Sequence, residues 1–338
     1  AGGGRPRGRV ERAGRGAGGR MGRLGGGSRV WARGGWRGRA AWKRPRRAAL
    51  LASAGVEGDD FTSETIGFKI GPRLNAAGRM DSPEIALQLL RTKDPLTAQM
   101  LAARLEELNV LRQQRTKEIM AAIEQRMEHD DGRPAIVLAD ASWSIGLLGL
   151  LASRVTERYG RPAVLLEDRG DHLVSSVRSV PGVDVHAALA DCRDLLIKFG
   201  GHPQAAGFSV THENFALFRD RFDAAIAAQP VGAPELVLDT SLTPAECSAE
   251  SVAALRRFEP FGVGNAEPLF LLEDAAVVNA RTVGADRRHL RIEARHAGRN
   301  IALIAFGWGD RLQEFKLGRP FAAAVRLGSS VWNGRTML

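Results

Sequence analysis

Two short runs hold the residue types that bind phosphate. One is Gly200, Gly201, His202, Pro203, Gln204, Ala205, Ala206 and Gly207; the other runs from Gly71 to Arg79 and reads GPRLNAAGR. Paired glycines let a backbone take left-handed or crowded conformations and bring its N–H groups close to an anion, while a neighbouring His, Arg or Asn donates to the oxygens. Both runs are therefore expected to be tight, ligand-facing loops. In the first, the small residues on either side leave the His202 imidazole free to donate to a ligand. In the second, Arg73 and Arg79 flank Asn75, whose amide can read a sugar or a base edge. A third set, Ser175, Ser176, Arg178 and Ser179, alternates hydroxyls with a guanidinium where a strand should meet a loop, which suits phosphate again. The competing assignments are structural: a satisfied core histidine at 202, caps and surface ion pairs in 71–79, and an Arg178–Asp184 pair with serines facing solvent.

Metal chemistry has no visible seat. His129, His172, His186, His212, His289 and His296 are scattered without ligand spacing, and phosphodiester hydrolysis ordinarily needs a metal site. The adjacent pairs Asp59–Asp60 and Asp130–Asp131 diverge on any regular element and suit loops or caps. Two distant cysteines, Cys192 and Cys247, imply a reducing, cytoplasmic setting, and no run approaches a membrane span.

The elements that must position these residues are legible from pattern. Asp81, Ser82 and Pro83 open a helix through Leu90, and Asp94 with Pro95 opens another. Leu101, Leu105, Leu108, Ile119, Ile123 and Met127 keep helical spacing along the second to about Glu128, a length of roughly 50 Å. There follow strand 135–138, helix 146–159, strands 163–166 and 172–177, helix 183–199, the His202 loop, strand 207–210 and helix 213–228, an α/β pattern. Beyond Pro234 come short strand-like runs at 235–238, 269–272, 276–278, 289–294, 301–304 and 321–327, which suggest a small β-barrel.

Charge is uneven. The first 50 residues carry 15 Lys or Arg, 15 of the 39 glycines and one acid, Glu11, leaving 33 basic against 37 acidic residues in the rest. The net charge of +10 therefore says nothing of the body, where a nucleic-acid surface must be a local patch. Residues 1–45 have no apolar period and cannot build a core. They read as a disordered Gly/Arg arm or, in preference, as GC-rich DNA translated out of frame.

In order, GFKIGPRLNAAGRMD (67–81), Trp143 with GLLGLLASRV (146–155), SSVRS (175–179), FGGHPQAAGFS (199–209) and FEPFGVGNAEPLF (258–270) resemble the RecJ family of single-strand-specific DNA exonucleases. The resemblance implies a fold: the tail of a DHH phosphoesterase domain (46–93), a long connecting helix (94–130), a DHH-associated α/β domain (131–230) and a β-barrel OB-fold (231–338) cut short at its end. It implies 5′-to-3′ hydrolysis of single-stranded DNA in repair and recombination by metal-activated water, and single-stranded DNA as partner. A single-strand-binding protein or a helicase is a further candidate partner, and the chain is expected to be a monomer. Arg178 and Ser176, with Ser179, would hold the terminal phosphate; His202, with Gly200 and Gly201, would face the reacting phosphate as the catalytic group; Arg73, Asn75 and Arg79 would line the cleft.

The two Mn²⁺ or Mg²⁺ ions of the family would find no ligands here, because the Asp-His-His signature is absent and residues 1–45 hold no Asp or His. The chain is thus expected to be a fragment, cut at both ends and inactive alone. Ser144 and Ser175 stand where the family often has His and Gly, so contacts there differ. The alternatives are a noncatalytic single-strand-binding module, a shorter oligonucleotide or cyclic-dinucleotide phosphodiesterase, and the related domain of alanyl-tRNA synthetases.

Overall fold

The computed structural model describes residues 45–56, 65–229, 235–243, 245–262, 264–284, 286–332 and 335–337, with side chains up to 329. The readings of residues 1–44 and of Asp59–Asp60 fall outside them. The described residues form two compact units that divide between 229 and Glu235, and no helix among them is long and apolar enough to cross a membrane.

The first unit opens with α1 (Pro45–Ser53), a π-helical turn (Thr65–Ile70), α2 (Gly71–Met80), α3 (Glu84–Arg91) and the long α4 (Pro95–Met127). Gly71 to Arg79, expected to be a loop, is thus a helix. Pro72 sits in its first turn, where no N–H is needed, and Ala76 and Ala77, fully buried, let α2 approach α4 closely. At the start of α4 the Asp94 carboxylate accepts from the Thr97 N–H at 2.7 Å, satisfying an orphan donor. The first turns of α4 bury Ala98, Ala102, Leu105 and Leu108 against α1, α2 and α3; its last turns bury Ile119 and Ile123 in a separate core. Each such Leu or Ile contributes roughly 1.5–3 kcal/mol, so one helix is anchored in two cores.

The rest of the unit is a five-stranded sheet of order β1-β2-β3-β5-β4, made by β1 (Ile136–Asp140), β2 (Ala163–Asp168), β3 (Leu173–Arg178), β4 (Leu196–His202) and β5 (Ala205–Val210). Only β1 and β2 are parallel, joined by α5 (Ile145–Tyr159). α5 covers one face through Leu147, Leu148, Leu151 and Val155 with Leu165. On the other face α6 (Val185–Ala190) and α7 (His212–Ala227) pack on Val164, Leu166, Val177, Phe208 and Val210. The helix expected over 183–199 therefore breaks. α6 stops at Ala190, and 196–202 is an edge strand, because its backbone pairs with β5 from Leu196↔Val210 to His202↔Ala205. The Asp130–Asp131 pair is engaged: Asp130 with Arg161, and Asp131 with Arg133 and Arg219.

α7 is fastened to the start of β1 by a buried carboxylate. Asp223 accepts from the Ala135 N–H at 3.1 Å and from Arg133 at 3.0 Å. Burial is the main influence on this carboxyl and raises its pKa, so that its own contribution to stability declines as pH rises above 3.8. Removing it strands a buried N–H and one arm of Arg133, which Asp220 still holds. Asp223→Ala is expected to cost about 2 kcal/mol and to lower the melting temperature by roughly 4–8 °C in a thermal scan.

The second unit contains β6 (Thr240–Ser241), α8 (Ala249–Leu255), β7 (Phe270–Val283), β8 (His289–His296), β9 (Arg299–Ala305), β10 (Pro320–Val325) and the paired β11 (Ser330–Trp332) and β12 (Arg335–Met337). The sheet runs β10-β7-β8-β9, with β6 parallel to β7. The separate runs expected at 269–272 and 276–278 are one strand of 14 residues. Register shifts bend it at Val277/Asn279 and between Leu272 and Ala275, where Asp274 takes φ +53°; its first half pairs with β10 and its second with β8. Such bulges curl a sheet, giving an OB-type half-barrel around Leu272, Ala275, Val277, Leu290, Ile292 and Ala294. The run 235–238 is not a strand; pairing begins at Thr240.

Candidate functional site

Strand register sets the geometry of the first unit's open face. Arg178 stands opposite Ala205 on β5, and Ala205 opposite His202 on β4. Residues directly opposite in an antiparallel pair share a face, and neighbouring strands lie about 4.8 Å apart. Arg178 and His202 therefore look out on one side of the sheet, two strands and roughly 10 Å apart. Between them Ala205, Gly207 and its partner Gly200 form a floor nearly free of side chains. Ser176, two residues before Arg178, lies on the same face by the period of a strand.

A helix glycine makes room for the guanidinium. A Cβ on Gly149 of α5 would sit 2.9 Å from Nη2 of Arg178 and 3.3 Å from the Ser176 hydroxyl. Arg178 Nη1 donates to Val177 O at 2.8 Å and to Ser176 Oγ at 3.3 Å, which fixes its direction. It makes no ion pair among the described residues. Asp184, the acid expected as its structural partner, instead caps α6 by accepting from the Ala187 N–H at 2.9 Å.

Arg79 enters from the last turn of α2. A Cβ at Gly146 would collide with the Arg79 carbonyl oxygen, so glycine there lets α2 rest on α5, and Arg79 Nη1 donates to Gly146 O at 3.2 Å. Burial, and beyond it the positive charge of Arg79, lowers the pKa of Arg178. Arg79 and Arg178 thus meet α5 one turn apart, at Gly146 and Gly149, and neither makes an ion pair among the described residues, an arrangement that an anion relieves.

The structure separates the remaining candidates. Asn75 is exposed one turn before Arg79 on the same side of α2. Arg73 faces elsewhere, held in an ion pair by Glu106 of α4 and donating to Lys69 O at 2.7 Å. Ser179 donates its hydroxyl to Val183 O at 2.7 Å and so fixes a turn. The loop expected around His202 is a two-residue hairpin turn, Pro203–Gln204, between β4 and β5. Gly201 holds φ +142°, and a Cβ there would lie 2.5 Å from both Ala205 O and Ala206 Cα. The His202 ring is exposed, with Nδ1 accepting from the Gln204 N–H at 3.3 Å. Sequence reasoning missed Gly146 and Gly149; their spacing of one helical turn inside an apolar helix was the available signal.

Family models match both units. Residues 132–228 match the DHHA1 domain and residues 238–338 the RecJ OB domain, so the fold is that of a DHHA1 unit followed by an OB unit. The single-stranded-DNA-specific exonuclease RecJ of Bacillus subtilis is 31% identical over 307 residues, 87% of this chain and 38% of that protein. The RecJ of Escherichia coli is 33% identical over 317 residues, 89% of this chain and 54% of that protein. The crystal structure of RecJ from Thermus thermophilus in complex with Mn²⁺ superposes with a TM-score of 0.76 at 31% identity, covering 91% of this chain and 45% of that one. The chain belongs to the RecJ family. It spans 38–54% of the length of these curated relatives.

Proposed function

We propose that this chain grips the 5′ end of single-stranded DNA for 5′-to-3′ exonucleolytic removal of nucleotides in repair and recombination. The observation that carries the reading is the Arg178–Ser176 pair seated on Gly149, with Arg79 one turn away at Gly146 and no carboxylate ion-paired with either cation among the described residues. A terminal phosphate has the charge and the acceptor oxygens to take both guanidinium and hydroxyl donors. A diester or a 5′-hydroxyl end offers less charge at that spot, which gives the site a sense of strand polarity. His202, across the bare floor of Gly200, Gly207 and Ala205, would donate to the next phosphate. Asn75 lies beside Arg79 to meet a sugar or base.

Mn²⁺ or Mg²⁺ is the ion found with RecJ of Thermus thermophilus. Among the described residues no three His, Cys, Asp or Glu side chains gather to hold a metal, so they do not fit such an ion. On this reading hydrolysis belongs to the whole family protein, and the described part holds the strand. A second reading, a noncatalytic strand-binding module, rests on the same donor count. Incubating the chain with 5′-phosphorylated single-stranded DNA and Mn²⁺ separates them from an active enzyme: retention of the strand without nucleotide release is expected, and release abolished by EDTA would overturn it.

The OB unit offers stacking. Phe306 is 75% exposed, with the His289 ring edge-on at 5.3 Å, and Arg311 lies 4.0 Å over the Trp308 ring. One stacked base contributes roughly 1–3 kcal/mol, so Phe306→Ala is expected to weaken single-strand binding about 10-fold. The slope of affinity against salt should not change, since no charge is lost; fluorescence anisotropy at several salt concentrations checks both.

A further inference from the structure

The bare floor between Arg178 and His202 continues past them along the sheet. Phe208 and Val210 of β5 turn into the core beneath α6 and α7, and the Phe199 ring of β4 meets the His186 ring of α6 at 5.8 Å. Ser209 and Lys198 alternate with these residues and so belong to the other face, the one that carries Arg178, Ser176 and His202. Ser209 stands directly opposite Lys198 on β4 and opposite Val174 on β3. Lys198 lies about 13 Å along β4 from His202, and the glycine pair Gly200–Gly207 lies between them.

Each end of the floor thus joins a cation to a hydroxyl, Arg178 with Ser176 at one end and Lys198 with Ser209 at the other. Ser209 is 1% exposed, and its Oγ is buried with no hydrogen-bond partner among the described residues. A hydroxyl in that state costs stability until a partner reaches it. Lys198 is exposed, and its ammonium makes no hydrogen bond or ion pair among the described residues. None of the residues that β3, β4 and β5 place on this face is acidic. Of the two neighbours opposite Ser209, Val174 is half-buried and Lys198 exposed, so movement of Lys198 is what opens the hydroxyl to a ligand. An anion supplies the acceptor that both groups lack.

We propose that Lys198 and Ser209 form a second phosphate subsite, at the far end of the glycine floor, that takes an internal phosphodiester of a strand held at Arg178 and Ser176. The proposal rests on the strand-gripping reading and adds a length requirement. A mononucleotide stays at the Arg178 end, whereas a 5′-phosphorylated oligonucleotide long enough to run along the floor also engages Lys198. Lys198 supplies charge and Ser209 a hydrogen bond, while Gly200 and Gly207 keep the path between the two ends free of side chains. A lysine on an edge strand also has a structural use, since it keeps the edge from pairing with another chain, but that use leaves the Ser209 hydroxyl unexplained.

The test uses the full chain in EDTA, with 5′-phosphorylated thymidine and 5′-phosphorylated tetrathymidylate as probes in a competition assay. Lys198→Gln is expected to weaken the tetranucleotide about 5-fold and to reduce its salt slope by about 0.7 while leaving the mononucleotide unchanged. Lys198→Arg should restore most of the affinity. Ser209→Ala should weaken the tetranucleotide about 3-fold at an equal or higher melting temperature, because it removes a hydroxyl that nothing in the fold satisfies. A lower melting temperature would assign that hydroxyl to the fold and remove it from the subsite. Arg178→Gln should weaken both probes. Loss at Arg178→Gln with no change at Lys198→Gln would overturn the second subsite and leave the strand-gripping reading standing; self-association of Lys198→Gln in sedimentation would then mark the lysine as an edge guard. Equal loss of both probes at Lys198→Gln would mean one merged site and would also overturn it. No loss of either probe at Arg178→Gln would sink the strand-gripping reading, and the subsite with it.

Discussion

Replacing Arg178 by glutamine is expected to lower the affinity for a 5′-phosphorylated single strand by about 10- to 100-fold and to erase the preference over a 5′-hydroxyl strand. The magnitude follows from the roughly 1.5–3 kcal/mol that a charged hydrogen bond contributes. The partly buried setting of Arg178, directed by Val177 O and Ser176 Oγ, places it toward the upper end. Glutamine keeps a donor of similar reach but neither the charge nor the planar array. Arg178→Lys keeps the charge as a point and loses the array, so an intermediate affinity is expected. Anisotropy titrations with the two strand ends measure both quantities. An Arg178→Gln protein that still prefers the phosphorylated end would remove Arg178 from the site.

The second large effect is structural. Gly201→Val is expected to destabilise the first unit by about 3 kcal/mol or more, since a strained φ contributes roughly 1–3 kcal/mol and a forced overlap about as much again. Both terms are present: φ is +142°, and the added Cβ meets backbone atoms of Ala205 and Ala206 at 2.5 Å, which cannot yield as a side-chain tip would. The melting temperature should fall by roughly 6–12 °C. Gly200→Ala is the contrast, because a Cβ there meets nothing within 4 Å. It should leave the melting temperature in place and weaken strand binding by putting a methyl on the floor between Arg178 and His202. Equal melting temperatures for the two variants would contradict the account of this hairpin.

The sequence showed most clearly those elements whose cause is local. Asp94 and Pro95 mark the start of α4 because cap and fixed φ act within one turn, and the alternation of Leu290, Ile292 and Ala294 marks β8 because one face is buried. Gly71 to Arg79 misled for a tertiary reason: two glycines and a proline read as a loop, but the buried Ala76–Ala77 face against α4 makes a helix. The 196–202 strand was hidden because apolar spacing from Val185 through Leu195 continues smoothly into Leu196 and Phe199, and only pairing with β5 decides it.

At the site, Ser176, Arg178 and His202 were visible as residue types, and their grouping on one face needed the register of β3, β5 and β4. Arg73 carried the same signal as Arg79, yet Glu106, 33 positions away, engages it.

Arg178, Ser176 and Arg79 are proposed to recognise a terminal phosphate on a single strand. The most direct measurement titrates the unmodified chain with one single-stranded oligonucleotide prepared with a 5′-phosphate and with a 5′-hydroxyl, in EDTA and at fixed salt. The arrangement of Arg178, Ser176 and Arg79 predicts at least about 10-fold tighter binding of the phosphorylated strand. Equal affinities for the two ends would contradict it.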